Sequence, residues 1–314
     1  MSKQHILDRL FNAVIMYRGK HFNLVTYGFL YALAFFLVLQ LFFTNWYRLG
    51  YSLSPAFLLF CSIVVPFSIP LGAKMLYLLY NIKRLIKKPL EVINETGYAF
   101  FGSFVGIAVC GLLIGRYFFP GQGIRILDMV CLFLPLGQIL QRIGCATYGC
   151  CYGHPYSGPL AIVYKNPEAK AFRSGGMGNT PLHPTPLYSI LKNLFIFVII
   201  NIIFIKFPYQ GVPTALWLIL YGTLRFFVDF TRFIQPPYLL GIRITQILSV
   251  IMVLAGLTVL LRTELIIYQF IFSFREGLMN SLSYIPYTLM GSLIMLLAYG
   301  FHSKELGHYI KTKK

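Results

Sequence analysis

Apolar residues in this chain come in runs of membrane length, separated by short stretches that carry Lys, Arg, Gly or Pro. A helix needs about 20 largely apolar residues to cross the hydrocarbon core. Runs bounded in this way fall at about 24–43, 55–80, 98–119, 126–140, 190–207, 213–230, 244–261 and 283–300. The pattern predicts eight spanning helices, of which the fourth is the shortest and holds Asp128 and Pro135. The first 23 residues carry Leu7, Leu10, Phe11 and Val14 at helical spacing among Lys3, Arg9, Arg18 and Lys20. That pattern predicts a helix lying in the bilayer interface rather than a cleavable signal. The apolar piece 265–272 is too short to cross and is expected at the interface. Residues 141–189 are glycine-rich and hold no membrane-length run, and a loop of that length is usually functional. Within it, 160–164 predict a short strand, so the segment is expected to form a small ordered cap over one membrane face.

Composition agrees with this reading. With 57% hydrophobic residues, 11% charged residues and a mean hydropathy of +0.70, the chain is excluded from the soluble globular class, and 17% aromatics exclude disorder. The 27 Lys and Arg against 9 Asp and Glu give a net charge of +18. These cations sit between apolar runs, where they meet anionic headgroups and set topology, so nucleic acid is not an expected partner. Most of them, Lys83, Arg84, Lys87 and Lys88 included, flank the spans on the side of the N-terminus and the cap. The positive-inside rule places that side in the cytoplasm. Cys61, Cys110 and Cys131 lie in apolar runs, while Cys145, Cys150 and Cys151 share one segment. Their spacing is not the paired Cys-x2–4-Cys of a zinc site, so even with His154 and His183 nearby no metal is expected.

Ionisable residues inside a span are costly and point to function. In the sixth run Tyr221, Arg225, Asp229 and Arg232 stand at offsets that fall within roughly 80° of one helix face. Arg225 and Asp229, four apart, can pair. The stripe is then either an internal salt bridge or an anion site, since a planar guanidinium matches phosphate oxygens bidentately. Arg142 closes the fourth run, followed by Gly144, Gly149 and Gly153, which let a backbone approach a ligand closely. His183, in His-Pro-Thr-Pro-Leu-Tyr before the fifth run, is a candidate for proton transfer.

Taken together, these segments resemble the prolipoprotein diacylglyceryl transferase family of bacteria. Gly137 to Gly153 is similar to its fourth-span signature, with Arg142, Gly144, Gly149 and Gly153 in register. His183, Pro184, Leu187 and Tyr188 match its His-Pro-x-x-Leu-Tyr motif. Tyr221, Gly222, Arg225, Asp229 and Arg232 match its Tyr-Gly-x-x-Arg-x-x-x-acid-x-x-Arg pattern, and Gln246, Leu248 and Ser249 its last span. Tyr27 and Gly28 fit its first span, and Gly102 and Gly106 its third. The chain departs where Phe101 replaces a His, Cys145 an Asn, and Cys150 and Ser189 an acid.

The resemblance implies an all-α polytopic membrane protein of seven family-like helices plus an eighth, with a cap between spans four and five. It divides the chain into an interfacial segment (1–23), a transferase-like membrane domain (24–261, cap loop 141–189) and a C-terminal segment and helix (262–314). The implied reaction moves a diacylglyceryl group from phosphatidylglycerol, or a related anionic phospholipid, to the cysteine thiol of a lipobox-containing preprolipoprotein. It releases glycerol phosphate, needs no cofactor and takes place in the bacterial inner membrane. Arg142, Arg225 and His183 would be catalytic. Tyr27, Gly144, Gly153, Tyr188, Tyr221, Asp229 and Arg232 would hold substrate. The resemblance also implies an N-terminus and cap outside the cytoplasm, opposite to the charge rule. Two alternatives stand beside it: transfer of a phospholipid-derived group to another acceptor, and lipid binding or transport without turnover.

Overall fold

A computed structural model describes residues 11–95, 97, 99–173, 175–233, 238–239, 242–262, 266–304 and 306. The eight apolar runs are helices: α1 Thr26–Arg48, α2 Pro55–Tyr80, α3 Phe100–Tyr117, α4 Gly123–Tyr148, α5 Thr185–Lys206, α6 Val212–Asp229, α7 Ile244–Leu261 and α8 Phe274–Tyr299. Among the described residues seven of them, all but the shorter α3, are long and apolar enough to cross a membrane. The protein is an all-α polytopic membrane protein. A π turn at Phe60–Val64 interrupts α2 just before Pro66, whose missing N–H breaks the regular ladder.

Several boundaries differ from the hydropathy pattern. Helix α4 continues past residue 140 to Tyr148, because Gln141, Arg142, Cys145 and Thr147 turn inward and are buried. A helix end that lines a polar interior loses its apolar signature without ending. The cap is therefore 149–184, shorter than 141–189, and contains the expected strand, β3 Ile162–Val163, paired with β4 Pro181–Leu182. Helix α5 starts earlier, at Thr185, with Pro186 in its first turn, where a missing N–H is harmless. Helix α8 starts at Phe274 behind a capping box of Ser273 and Glu276.

Of the expected interfacial helix, residues 1–10 lie outside the described residues. From residue 15 the chain is extended: β1 Ile15–Arg18 pairs with β2 Asn23–Val25, which pairs with β5 Phe301–His302. Residue 265 of the short apolar piece also lies outside the described residues. Beyond it, Tyr268 N–H donates to the Pro208 carbonyl (2.7 Å) in the turn between α5 and α6.

The chain divides into two compact units. One takes residues 15–126 and those from 272 onward, with α1, α2, α3 and α8. There α1 meets α8, Gln40 Nε2 donating to the Ser281 carbonyl (2.7 Å) and Thr288 Oγ1 donating to Gln40 Oε1 (3.2 Å). Helices α2 and α3 meet at backbone contact, since a Cβ on Gly102 would fall on the Gly72 carbonyl and one on Gly106 on the Ser68 carbonyl. Tyr27 stacks on Tyr31 (centroids 5.8 Å apart) and meets Tyr299 edge-on in this unit. Phe101 lies here too, half-buried on α3.

The other unit takes residues 127–271 together with the described residues before 15, and holds α5, α6, α7, most of α4 and the cap. Helices α6 and α7 meet through Gly222 and Gly256, where an added Cβ would stand 2.7 Å from the Ser249 carbonyl oxygen and 2.9 Å from that of Ala215. Asp128, fully buried near the start of α4, accepts from the N–H of Gly211 (2.6 Å) and Thr214 (3.0 Å) and from the Tyr268 hydroxyl (2.7 Å). A carboxylate at the start of α6 satisfies free amides and opposes the helix dipole. Asn12 Oδ1 accepts from the backbone of Lys165 and Asn166, at 2.8 Å each, and so fastens the N-terminal segment to the cap.

Candidate active site

Three of the sequence motifs are held side by side by their backbones. Gly153 N–H donates to the His183 carbonyl (3.1 Å), His183 N–H to the His154 carbonyl (2.9 Å) and His154 N–H to the Thr231 carbonyl (3.0 Å), while Gly153 also bridges to Arg232. The segment after α4 thus runs between the start of α5 and the end of α6. Gly153 has no room for a side chain: a Cβ would strike the His183 Cβ and lie 2.5 Å from the Thr231 carbonyl oxygen and 2.6 Å from Thr185 Oγ1. Close backbone packing by itself requires a glycine here.

On α6 the expected pair forms, Arg225 Nη2 lying 3.1 Å from Asp229 Oδ1. Asp229 is 1% exposed and shared: Thr245 Oγ1 donates to its Oδ2 (2.8 Å), and Arg243 Nη1 stands 3.5 Å away. Arg225 and Arg232 each keep a buried Nε with no hydrogen-bond acceptor among the described residues. Tyr221, one turn before Arg225, stacks on Trp217 (5.0 Å). Arg142 arrives from α4, its Nη1 3.7 Å from Cys145 Sγ and 3.6 Å from Cys151 Sγ, within electrostatic reach of Tyr221.

Lys192 belongs to none of the sequence motifs, yet it lies at the centre of this group. It is only 8% exposed on α5, with Nζ 3.5 Å above the Tyr221 ring. Its charged neighbours are the guanidinium groups of Arg225, Arg142 and Arg232. A lysine in an apolar run looks like a single tolerated charge; only the arrangement of three helices makes it the fourth member of a cation cluster. Ionisable groups inside a span that face one another across a bundle mark a functional interior.

His183 stands in a second, aromatic group. Its ring stacks on Tyr156 (3.9 Å, 13° between planes), and its Nδ1 shares a hydrogen bond with the Tyr188 hydroxyl (3.1 Å). Burial, and then the neighbouring His154, hold the His183 imidazolium below its ordinary pKa. Gly144 lies inside α4, where its carbonyl accepts from Thr147 Oγ1 (2.8 Å). Ser189 Oγ is spent on the Thr185 carbonyl (3.0 Å). Tyr27 and Phe101 belong to the other unit.

Comparison with known proteins places these motifs. A family model described as prolipoprotein diacylglyceryl transferase matches residues 14–262. The phosphatidylglycerol–prolipoprotein diacylglyceryl transferase of Clostridium tetani is 29% identical over 192 residues, 60% of this chain and 74% of that protein. The enzyme of the same name from Aeromonas salmonicida is 32% identical over 199 residues, 59% of this chain and 66% of that protein. A phosphatidylglycerol–prolipoprotein diacylglyceryl transferase 2 from Clostridium perfringens is 27% identical over 242 residues, 75% of this chain and 89% of that protein. The matched span contains the whole cation cluster and the three paired motifs, and on it this chain belongs to the prolipoprotein diacylglyceryl transferase family of membrane enzymes.

Proposed function

We propose that the protein transfers a diacylglyceryl group from phosphatidylglycerol to the cysteine thiol of a lipobox-containing preprolipoprotein in the bacterial inner membrane. The observation that carries this reading is the cation cluster: Arg142, Arg225 and Arg232 lie within electrostatic reach of Lys192, whose Nζ stands over the Tyr221 ring, while Asp229 is already shared with Arg243 and Thr245. Cations brought together in a low-dielectric interior repel one another, and an anion removes that penalty. The lipid phosphate is such an anion and gains a second charge as it leaves.

In the reaction, the acceptor sulfur attacks the glycerol carbon that bears the phosphate. The C–S bond forms as the C–O bond breaks, and the electron pair departs on glycerol phosphate. Arg142, Arg225 and Arg232 would stabilise that developing charge, with Lys192 beside them. Asp229 would orient Arg225, and Tyr221 and Tyr188 would orient headgroup oxygens. His183 is the residue we assign to take the thiol proton.

The test is mass spectrometry of a lipobox peptide incubated with the purified protein in phosphatidylglycerol nanodiscs. The peptide gains one thioether-linked diacylglyceryl group, and Arg225→Ala lowers the rate by about 100-fold or more while the helical content is kept. Full activity of Arg225→Ala would refute the assignment. Glycerol phosphate released without modified peptide would identify a different acceptor, and lipid bound without consumption would identify a binding protein.

A further inference from the structure

The three cysteines near residue 150 are brought together by the end of α4. Gly149, at φ +69°, reverses the chain: its N–H and that of Cys150 both donate to the Cys145 carbonyl, at 3.0 and 3.3 Å. This turn folds Cys150 and Cys151 back over Cys145, so that all three sulfur atoms lie within 4.8 Å of one another, with Cys150 Sγ and Cys151 Sγ 3.7 Å apart. Three sulfurs each about 2.3 Å from one ion stand about 3.8–4.0 Å apart, so the set needs to contract by less than about 1 Å. A residue with a Cβ at position 149 would be strained by the positive φ and would meet the Tyr164 ring at 3.2 Å.

We propose that Cys145, Cys150 and Cys151 form a binding site for a single soft, thiophilic metal ion. The donor set selects for that class, since thiolates favour Cu(I), Zn(II) and Cd(II) over hard oxygen-seeking cations. A divalent ion binds as three thiols lose their protons to solvent, giving a trithiolate complex of net charge −1 with no redox step. Guanidinium groups stabilise that charge: Arg142 Nη1 already lies 3.7 Å from Cys145 Sγ and 3.6 Å from Cys151 Sγ, in the place of an outer-sphere hydrogen-bond donor. Arg232 adds its charge beside Cys151. The other cysteines, Cys61, Cys110 and Cys131, are buried elsewhere and take no part.

The experiment is titration of the full-length protein, purified in detergent and kept reduced with a phosphine, with Cd(II) chloride. The readouts are the ultraviolet sulfur-to-metal charge-transfer band and the metal content after desalting. One equivalent binds. Cys145→Ser, Cys150→Ser and Cys151→Ser each weaken binding by about 10-fold or more, and Arg142→Gln weakens it by about 10–100-fold with all thiols intact. Gly149→Ala weakens it with every thiol intact, through the strained φ and the contact with Tyr164. The variant with Cys61, Cys110 and Cys131 replaced by Ala keeps the band, and Mg(II) does not compete while Cu(I) does. A folded wild-type protein without the band overturns the proposal. So does undiminished binding when Cys145, Cys150 and Cys151 are all Ser, or loss of binding when only Cys61, Cys110 and Cys131 are replaced.

Discussion

Lys192 and His183 respond to different changes because different surroundings hold them. Replacing Lys192 by Leu removes an ammonium from above Tyr221 without disturbing the Arg225–Asp229 pair. A charge-assisted hydrogen bond to a phosphate is worth about 1.5–3 kcal/mol, so KM for phosphatidylglycerol rises by about 10–100-fold in steady-state kinetics. A fall in kcat alone would place Lys192 at the leaving group instead. His183, held below the ordinary 6.5 by burial, is neutral at pH 7 and able to accept a proton. Activity that needs the neutral ring therefore drops on the acid side, with its midpoint below pH 6.5, and His183→Gln removes that limb of the pH–rate profile. A limb centred above 6.5 would belong to another group. The Arg225–Asp229 pair was legible in the sequence because helical period alone places residues four apart on one face. Lys192 was not, because its neighbours come from α4 and α6 and no spacing within α5 encodes them. The thiol cluster was hidden for a related reason: a helix end followed by a left-handed glycine brings positions 145, 150 and 151 together, a spacing outside the usual paired-cysteine patterns.

At the scale of elements, the apolar runs identified the eight long helices α1 to α8, because lipid allows few alternatives to a hydrogen-bonded helix. Their ends were legible only where the chain turns to water. Helix α4 was cut short because its last two turns line a polar interior, and the extended segments around residue 20 were missed because Phe11 and Val14 repeat at helical spacing. Asp128 lowered the apparent quality of the fourth run, yet it anchors α6 by accepting from Gly211, Thr214 and Tyr268. Asp128→Ala removes the acceptor shared by four donors, the N–H groups of Gly211 and Thr214 and the hydroxyls of Thr214 and Tyr268. It is expected to destabilise the unit by about 3 kcal/mol or more, read as a lower thermal midpoint in detergent. Asp128→Asn keeps an acceptor oxygen and loses less. An unchanged midpoint for Asp128→Ala would show that the amides are solvated.

At the scale of the molecule, the family match ends at residue 262, but the unit built from α1, α2 and α3 does not. Helix α8 supplies the partners of Gln40 and Thr44, and β5 pairs with β2. Stopping the chain after residue 272 thus removes part of a packed core rather than an appendage. That truncation is expected to leave α1 open to proteolysis, which limited digestion and mass spectrometry would detect; a digestion pattern in α1 identical to that of the full chain would contradict it. The same pairing has a consequence in time. Gln40 and Thr288 are 248 positions apart, and at about 5–20 residues per second roughly 10–50 s of synthesis separate them. Helix α1 must therefore wait in the membrane with the Gln40 side-chain amide unmatched by α8, while Thr44 bonds back to its own helix, until α8 arrives.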